Sequence, residues 1–363
     1  MATDAHPERQ RRRRRRTTAD GRRTLTAGHA LVTAVLALAL GTLLNAPGLH
    51  KAAYNQPAGT ERDVALALTG PLAGFSHAVL LDRPRRLLQS ALGRKGEDTI
   101  DTAIVIPPPL PPTPATPTPS TSDPTKPAPP AARKPAFGPK KRLRLWIAGD
   151  SLVITPGWAI VRAAGRAIRP VGGGPDGHVA TGLERPDVFN WFSHVTDELR
   201  KLAPNAVVLD FGGNDDHGYM TGLPKGVRVD GFGTPSWTTE YRRRVGGIMD
   251  TVTRAHAFLI WIGLPITRDE AQTQRFDTIN AIVESEARKR AGHVAYVDTY
   301  ATFASDSGGF AQYLRNASGA EVLVRSPDGV HFEPAGGDMI ARLVLHRLNE
   351  AFDLTSWRTK TLR

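Results

Sequence analysis

The C-terminal 223 residues of the chain predict an α/β fold in three layers, with a mostly parallel sheet between two layers of helices. Two observations predict it. Short apolar segments alternate along the chain with longer amphipathic ones. The short segments are apolar throughout, which is typical of parallel strands that are covered on both faces. The predicted strands are 143–148, 206–211, 257–262 and 293–298, and the predicted helices are 156–168, 188–202, 238–255, 271–291 and 335–352.

The N-terminal region predicts a membrane anchor. Nine arginines precede Gly28–Leu44, a run of 17 residues without Asp, Glu, Lys or Arg. The run is short for a bilayer span, which takes roughly 20 apolar residues, and the arginines before it place the N-terminus in the cytoplasm. We predict a basic cytoplasmic tail at 1–24, a single transmembrane helix at 25–46 and an extracytoplasmic remainder. A cleaved signal peptide has the same order of features and stays an alternative.

Two further regions separate this anchor from the α/β domain. Residues 47–104 have apolar residues at helical spacing, divided by prolines, and predict a juxtamembrane helical segment. Residues 105–141 are rich in Pro, Thr and Ala and predict an extended linker that buries no core. The α/β domain is therefore predicted to span 142–363.

The charge distribution argues against a nucleic-acid partner. The formal net charge is +12, but residues 141–363 hold 27 Lys and Arg against 25 Asp and Glu. The excess lies in the first 140 residues, where we interpret it as an orientation signal for membrane insertion. The chain has no cysteine, which excludes disulfides, thiolate metal sites and cysteine nucleophiles.

The first candidate site follows the first predicted strand, where Gly149, Asp150 and Ser151 precede a helix. Parallel α/β sheets bind ligands at the carboxyl ends of their strands. A serine at such a turn exposes its hydroxyl and holds its backbone N–H near the positive end of a helix. The alternative is an ordinary helix cap, for which Ser and Asp are also preferred.

The second candidate site follows the strand at 206–211, in the sequence FGGNDDHG. Gly212 and Gly213 permit a close approach of backbone to ligand, and the Asn214 amide can donate to a developing oxyanion. A simple Gly/Asn/Asp turn is the alternative. The consecutive residues Asp215, Asp216 and His217 have poor spacing for metal ligands. No metal and no cofactor are predicted.

The third candidate site is SPDGVHFEPAG, residues 326–336, directly before the last helix. Asp328 and His331 lie three residues apart in this loop, so that the imidazole can face Ser151 while the carboxylate holds its other nitrogen. A further backbone donor is expected at Gly182, in the sequence HVATGLERPD; Gly172–Gly174 and Gly177 compete for that role.

The ordered set GDSL, a glycine in the following loop, GGND and D-x-x-H resembles the SGNH/GDSL hydrolase superfamily over residues 143–352. This resemblance implies a flavodoxin-like α/β/α sandwich with a mostly parallel sheet. It also implies that Ser151 is the nucleophile, that His331 is the general base and that Asp328 orients His331. The resemblance further implies an oxyanion hole and a set of residues that support the site. The oxyanion hole is Ser151 N–H, Gly182 and Asn214, and the supporting residues are Asp150, Gly212, Gly213 and Asp215.

The anchor, the linker and phrases such as TGLERPDVFNW resemble exported bacterial members of that superfamily that act on O-acylated envelope sugars. The chain is therefore predicted to be a membrane-tethered serine esterase, or an acyltransferase, with an acylated glycan or glycolipid as substrate. A lipase or thioesterase with longer acyl esters and a non-catalytic envelope-binding protein remain alternatives. The oligomeric state is left open.

Several conspicuous residues are interpreted as structural. The histidines at 194, 256 and 346 lie on or beside predicted helices and are interpreted as surface or packing residues. Most tryptophans are assigned to the core, with Trp237 as a candidate for lining a substrate cleft. The run Arg242–Arg244 is interpreted as a solvated helix face.

Overall fold

The computed structural model describes residues 26–56, 60–92, 96, 98–108, 133–216, 219–316 and 318–356. They divide into two compact units, up to Thr99 and from Ile100 onwards. The predicted cytoplasmic tail and most of the predicted linker lie outside the described residues.

The N-terminal unit is helical, as its apolar spacing predicts. Its helices are α1 (Ala27–Leu44), α2 (Ala46–Tyr54), α3 (Thr60–Ala78) and α4 (Arg83–Ala91). Helix α1 has 18 residues, a mean hydropathy of 1.9 and no buried residue, so its length and composition suffice to cross a membrane. Helices α3 and α4 together also reach that length and hydropathy, but with a bend of 85° between them.

The larger unit contains a parallel sheet whose strands follow the buried apolar segments of the sequence. The strands are β1 (Leu143–Gly149), β2 (Ile168–Pro170), β3 (Asp176–Gly177), β4 (Ala206–Asp210), β5 (Phe258–Ile262) and β6 (Val294–Val297). The order is β2-β1-β4-β5-β6, and β3 also pairs with β1. Every pair in this sheet is parallel. The predicted α/β/α fold with a mostly parallel sheet is confirmed.

Helices cover both faces of this sheet. They are α5 (Ile154–Ala163), α6 (Trp191–Leu202), α7 (Pro235–Arg254), α8 (Glu270–Arg288), the short α9 (Tyr300–Phe303) and α10 (Pro334–Ala351). An antiparallel hairpin of β7 (Tyr313–Arg315) and β8 (Glu321–Leu323) precedes the loop to α10. The predicted helix 156–168 is wrong at its C-terminal end, because the chain leaves the helix at Ala164 and residues 168–170 form β2 on the sheet edge.

The larger unit begins earlier than the predicted boundary at 142. Residues 100–108 form no helix or strand and belong to this unit. Ile104 and Ile106 pack against its core, and Asn190 donates a hydrogen bond of 2.8 Å to the Ala103 carbonyl. The end of the predicted juxtamembrane segment and the start of the predicted linker are therefore part of the α/β domain. These residues follow no amphipathic period, so the sequence offered no signal for the contact.

Candidate active site

The packing of two helices brings the first and third candidate sites together. Helix α5 begins three residues after Ser151, and α10 begins three residues after His331. The two helices pack side by side at Gly337, where an added Cβ would lie 3.0 Å from the Thr155 backbone oxygen. This close approach places the loops before both helices next to each other at the carboxyl edge of the sheet.

Ser151, His331 and Asp328 form a continuous chain of hydrogen-bonding groups. The distance from Ser151 Oγ to His331 Nε2 is 2.8 Å, and the distance from His331 Nδ1 to Asp328 Oδ2 is 2.7 Å. Because a carboxylate only accepts, Nδ1 carries the proton and donates to Asp328, and Nε2 is left to accept the Ser151 O–H. This arrangement can generate a serine alkoxide nucleophile when an electrophile approaches.

The carboxylate of Asp328 is stabilised by its own loop. Its Oδ1 accepts from the backbone N–H groups of Val330 at 2.8 Å and His331 at 3.0 Å. Partial burial raises the pKa of Asp328, but these backbone hydrogen bonds and the bond from the imidazole lower it to about 2. Asp328 is therefore charged throughout the neutral pH range, as the orienting acid of an imidazole must be.

A buried arginine that the sequence did not single out holds this loop. Arg325 is fully buried, and Nη1 donates to the Ile266 carbonyl at 2.6 Å and Nη2 to the Val330 carbonyl at 2.5 Å. Burial lowers its pKa to about 10, so it remains a cation at neutral pH. A charged donor bonded to the carbonyls of Ile266 and Val330 restrains the backbone directly before His331.

Asp150 connects the first and second candidate sites. It is fully buried, its Oδ1 accepts from Leu152 N at 2.8 Å, and its Oδ2 accepts from Gly213 N at 3.0 Å. One carboxylate thus joins the serine turn to the Gly-Gly-Asn loop. Burial raises the pKa of Asp150 to about 7, although both backbone bonds act in the opposite direction.

The second candidate site lies against the Gly182 segment. Asn214 Nδ2 donates to the Thr181 carbonyl at 3.0 Å. The Asp215 carboxylate accepts from Leu183 N at 2.9 Å, Glu184 N at 2.8 Å and Tyr241 Oη at 2.8 Å. An added Cβ at position 182 would overlap the Asp215 carboxylate, so only glycine fits there. The structure therefore brings Gly182, of the competing glycines, beside Asn214.

Two structural interpretations of the sequence are wrong. Arg244 is fully buried, not solvated, and donates to the Leu183 carbonyl at 2.7 Å and to Glu240 at 2.8 Å. Its position on a helix beside two other arginines gave no indication of burial. Trp237 is also fully buried and donates to Glu184 at 2.7 Å, so it lines no cleft. Among the tryptophans that the structure describes, the one at the surface is instead Trp158, on α5, which is 47% exposed.

Asp210, at the end of β4, is a second buried carboxyl beneath the site. It is 1% exposed, and within the described residues neither of its carboxyl oxygens has a hydrogen-bond partner. Burial, with the nearby charge of Asp150 in addition, raises its pKa well above the ordinary value of 3.8. Asp150 accepts two backbone hydrogen bonds, whereas no donor among the described residues faces the Asp210 carboxyl. Of these two carboxyls, Asp210 is therefore the one that holds the proton.

This protonation predicts a pH-dependent stability difference for Asp210→Asn. Above pH 3.8 the unfolded chain loses the Asp210 proton while the folded chain keeps it, so this contribution to stability is full below 3.8 and is lost as the pH rises. Asp210→Asn has no carboxyl proton at this position, so its stability does not fall in this way as the pH rises. We expect its Tm to rise relative to wild type by a few degrees, on the order of 3 °C, between pH 4 and 8, measured by thermal unfolding.

The exposed Asp306→Asn is the control and should show no such trend. A constant Tm difference between Asp210→Asn and wild type across this pH range would show that Asp210 is charged in the folded protein.

Comparison with solved structures found similar proteins at low identity. A GDSL-like lipase from Bacteroides thetaiotaomicron is 16% identical, with 59% of this chain and 91% of that chain covered and a TM-score of 0.40. A putative acylhydrolase from Bacteroides fragilis is 18% identical, with 60% and 92% covered and a TM-score of 0.40. An acetylxylan esterase from Geobacillus stearothermophilus is 16% identical, with 62% and 100% covered and a TM-score of 0.39.

A comparison with curated proteins found no match. The descriptions of the similar solved structures as a GDSL-like lipase and an acylhydrolase agree with the predicted resemblance to the SGNH/GDSL hydrolases. A family model matches residues 144–347, which include the sheet and all three candidate sites. This chain belongs to the family described as "Protein of unknown function (DUF459)".

Proposed function

We propose that this protein is a membrane-tethered serine esterase that removes, or transfers, short acyl groups, most plainly O-acetyl, on glycans of the bacterial cell envelope. The observation that carries the proposal is the chain from Ser151 Oγ through His331 to Asp328, with distances of 2.8 and 2.7 Å. A nucleophile, a base and an orienting acid at these distances are what acyl transfer through serine requires.

The proposed reaction has two halves. Ser151 Oγ attacks the ester carbonyl carbon while His331 Nε2 takes the hydroxyl proton, and a tetrahedral oxyanion forms. Collapse of that oxyanion breaks the bond to the sugar oxygen, which receives the proton from Nε2, and an acyl-Ser151 ester remains. Water then attacks the acyl-enzyme in a hydrolase, and a sugar hydroxyl attacks it in a transferase. In both cases Nε2 takes the proton of the attacking group and returns it to Ser151 Oγ.

The oxyanion is proposed to bind to Ser151 N–H, Gly182 N–H and the Asn214 amide. The Asn214 side chain already donates one hydrogen to Thr181, and the amide has a second hydrogen for the substrate. The hydrogen bonds of Asp215 to residues 183 and 184 hold the Gly182 segment in place before substrate arrives. Donors fixed in this way cost no reorganisation in the transition state.

Replacing Asn214 by Ala is therefore expected to lower kcat/KM for ester hydrolysis by about 100- to 1,000-fold. The loss arises in the transition state, so KM should change little compared with kcat. Steady-state kinetics with a p-nitrophenyl ester measures both. The control is Asn349→Ala, which removes an exposed amide of α10 far along the chain from the site and should leave kcat/KM unchanged. An Asn214→Ala enzyme with a third or more of wild-type activity would remove Asn214 from the oxyanion hole.

The surroundings of Ser151 support an acylated glycan as the substrate, and not an ester of a long acyl chain. The side chains of His331 and Asp328 are 41% and 49% exposed, so the reacting groups are open to a bulky polymer. Trp158, seven residues after Ser151 on α5, and Val179, next to the His178 whose N–H donates to the Gly149 carbonyl, are both exposed. An exposed aromatic face of this kind can stack on the C–H face of a sugar ring.

Substitution of Trp158 by Ala tests this platform. We expect KM for an O-acetylated polysaccharide to rise about tenfold, which corresponds to roughly 1.4 kcal/mol, while kcat/KM for p-nitrophenyl acetate stays within about twofold. Acetate release from the polymer and p-nitrophenol release from the small ester measure the two. Trp158→Phe, which keeps an aromatic face, should retain most of the affinity. Equal losses on both substrates would mean that Trp158 acts on the fold of α5 and not on the glycan.

The proposed location follows from α1. Its 18 residues include no Asp, Glu, Lys or Arg and none of them is buried, and the arginine-rich stretch lies on its N-terminal side. Anchoring by α1 with the C-terminal domain outside the cytoplasm places the esterase at envelope glycans. Accessibility of the C-terminal domain to protease in intact cells, compared with lysed cells, tests this topology.

The activity itself is tested with the full-length chain and p-nitrophenyl esters of increasing acyl length at pH 7 to 8. We expect turnover of the acetate, poorer turnover of octanoate, and stoichiometric labelling of Ser151 by a fluorophosphonate. A preference for octanoate would favour the lipase or thioesterase alternative. Labelling without turnover would indicate a transferase that needs its sugar acceptor. The absence of both from a folded protein would overturn the proposal.

A further inference from the structure

Two histidines and one aspartate form a cluster that the proposed reaction does not use. Asp176 lies in β3, His178 follows that strand, and His194 lies in the first turn of α6. Asp176 Oδ1 is 3.1 Å from His178 Nε2, and Asp176 Oδ2 is 2.8 Å from His194 Nε2. The three side chains are between 23% and 35% exposed, so the cluster is within reach of solvent.

The cluster is held in place by the fold. Asp176 is paired with Ala148 of β1, and His178 N donates to the Gly149 carbonyl at 3.0 Å. The His178 ring stacks on Phe189 with 3.8 Å between centroids. The His194 ring lies edge-on to both His178 and Phe189, with centroids 5.3 and 4.9 Å away. Neither imidazole can turn away from the carboxylate without losing these ring contacts.

The donor set and its spacing suit a divalent transition metal. One ring nitrogen from each histidine and one carboxylate oxygen lie within 4.8 Å of one another. Bonds of about 2.0–2.1 Å in a tetrahedral zinc site place neighbouring ligand atoms about 3.4 Å apart. The separations of 3.1 Å from His178 to Asp176 Oδ1 and 2.8 Å from His194 to Asp176 Oδ2 are each within about 0.6 Å of that spacing. Two imidazoles and a carboxylate around an open fourth position are ligands that Zn²⁺ accepts.

We infer that Asp176, His178 and His194 bind one Zn²⁺ ion, with water in the remaining position. Without metal, each Nε2 faces a carboxylate oxygen and carries a proton. On binding, that proton moves to Nδ1 of a neutral imidazole or is released to solvent from an imidazolium, and the Nε2 lone pair becomes the ligand. The inference goes beyond the esterase proposal and does not depend on it.

The bound ion would act on the segment that carries Gly182. The His178 carbonyl accepts from Thr181 Oγ1 at 2.6 Å, and the Thr181 carbonyl accepts from Asn214. Trp191 Nε1 also donates to Thr181 Oγ1, at 2.9 Å. A metal that fixes His178 therefore restrains the neighbourhood of the proposed oxyanion donors, and we assign it a structural, not a chemical, role.

The test uses the full-length chain, without a histidine tag and freed of metal by a chelator. Titration with Zn²⁺ is expected to show one saturable site per chain by isothermal calorimetry. At a hundredfold excess over Kd, Zn²⁺ should raise Tm by about 5 °C, and EDTA should reverse the rise. Co²⁺ should give the visible absorption of a four-coordinate nitrogen and oxygen site. Absence of a stoichiometric site in the wild-type chain would overturn the inference and leave a plain Asp–His hydrogen-bond network.

Variants assign the site to these residues. His178→Ala/His194→Ala and the milder Asp176→Asn should lose the calorimetric site and the Tm increase, or weaken it at least tenfold. His346→Ala, whose exposed histidine pairs with Glu350, is the matched control and should bind as wild type does. Undiminished binding in the double variant would place the metal elsewhere and overturn the inference. If the double variant does not fold, Asp176→Asn and the Co²⁺ spectrum of the wild-type chain decide.

Discussion

Ser151→Ala is expected to lower kcat/KM for short acyl esters by about five to six orders of magnitude, the loss typical of removing a nucleophile that works with a histidine. The Ser151 hydroxyl is the atom that the 2.8 Å contact with His331 Nε2 would activate. Alanine fits the half-buried position without new volume, so the fold should be kept. Active-site titration with a fluorophosphonate, beside steady-state kinetics, distinguishes a dead enzyme from a contaminating activity.

The control for this variant is Ser307→Ala, which removes an exposed hydroxyl from the loop after α9 and should leave kcat/KM unchanged. Ester turnover above about 1% of wild type in Ser151→Ala, with Tm unchanged, would show that another group is the nucleophile. The proposed function would then fail, whereas the inferred Zn²⁺ site would be unaffected.

Asp328→Asn is expected to lower kcat by about 10⁴-fold. The Asn amide group would donate to His331 Nδ1, so Nδ1 would become the acceptor and Nε2 would carry the proton that faces Ser151. An imidazole in that tautomer cannot take the serine proton. Because the pKa of Asp328 is about 2, its ionisation should not appear in the pH–rate profile of the wild-type enzyme above pH 4. Steady-state kinetics from pH 4 to 9 measures both effects.

Asp338→Asn provides a matched control. Asp338 is an exposed carboxylate in an ion pair with Arg162, with 54% of its side chain accessible, close to the 49% of Asp328. Its loss should cost activity no more than about twofold. An Asp328→Asn enzyme with similar activity would show that the imidazole is oriented by other groups, such as the Arg325-supported loop.

The longer strands of the sheet could be predicted from the sequence, and the short ones could not. The four longer strands, β1, β4, β5 and β6, lie within one residue of the predicted segments, because strands covered on both faces are written as continuous apolar runs. The edge strands β2 and β3 were missed. They contain three and two residues, too few to show a period, and they exist only because β1 offers them hydrogen-bonding partners.

The burial of charged residues around the site, in contrast, could not be predicted from the sequence. Arg244 and Arg325 are both fully buried, yet neither is distinguished in sequence from the exposed arginines near it. Their burial is decided by backbone carbonyls at 183, 184, 266 and 330, which the fold brings to them from distant parts of the chain. The Asp176, His178 and His194 cluster was missed for the same reason, because its members come from β3 and α6.

The sequence by itself determined the order of strands and helices and named Ser151, Asn214, Asp328 and His331, because local apolar patterns and short turn motifs are written in neighbouring residues. Only the tertiary structure decided that Ser151 lies 2.8 Å from His331, that Gly182 is the glycine beside Asn214, and that residues 100–108 pack on the α/β domain. Those outcomes depend on contacts between residues far apart in the chain, whose free energy no local pattern records.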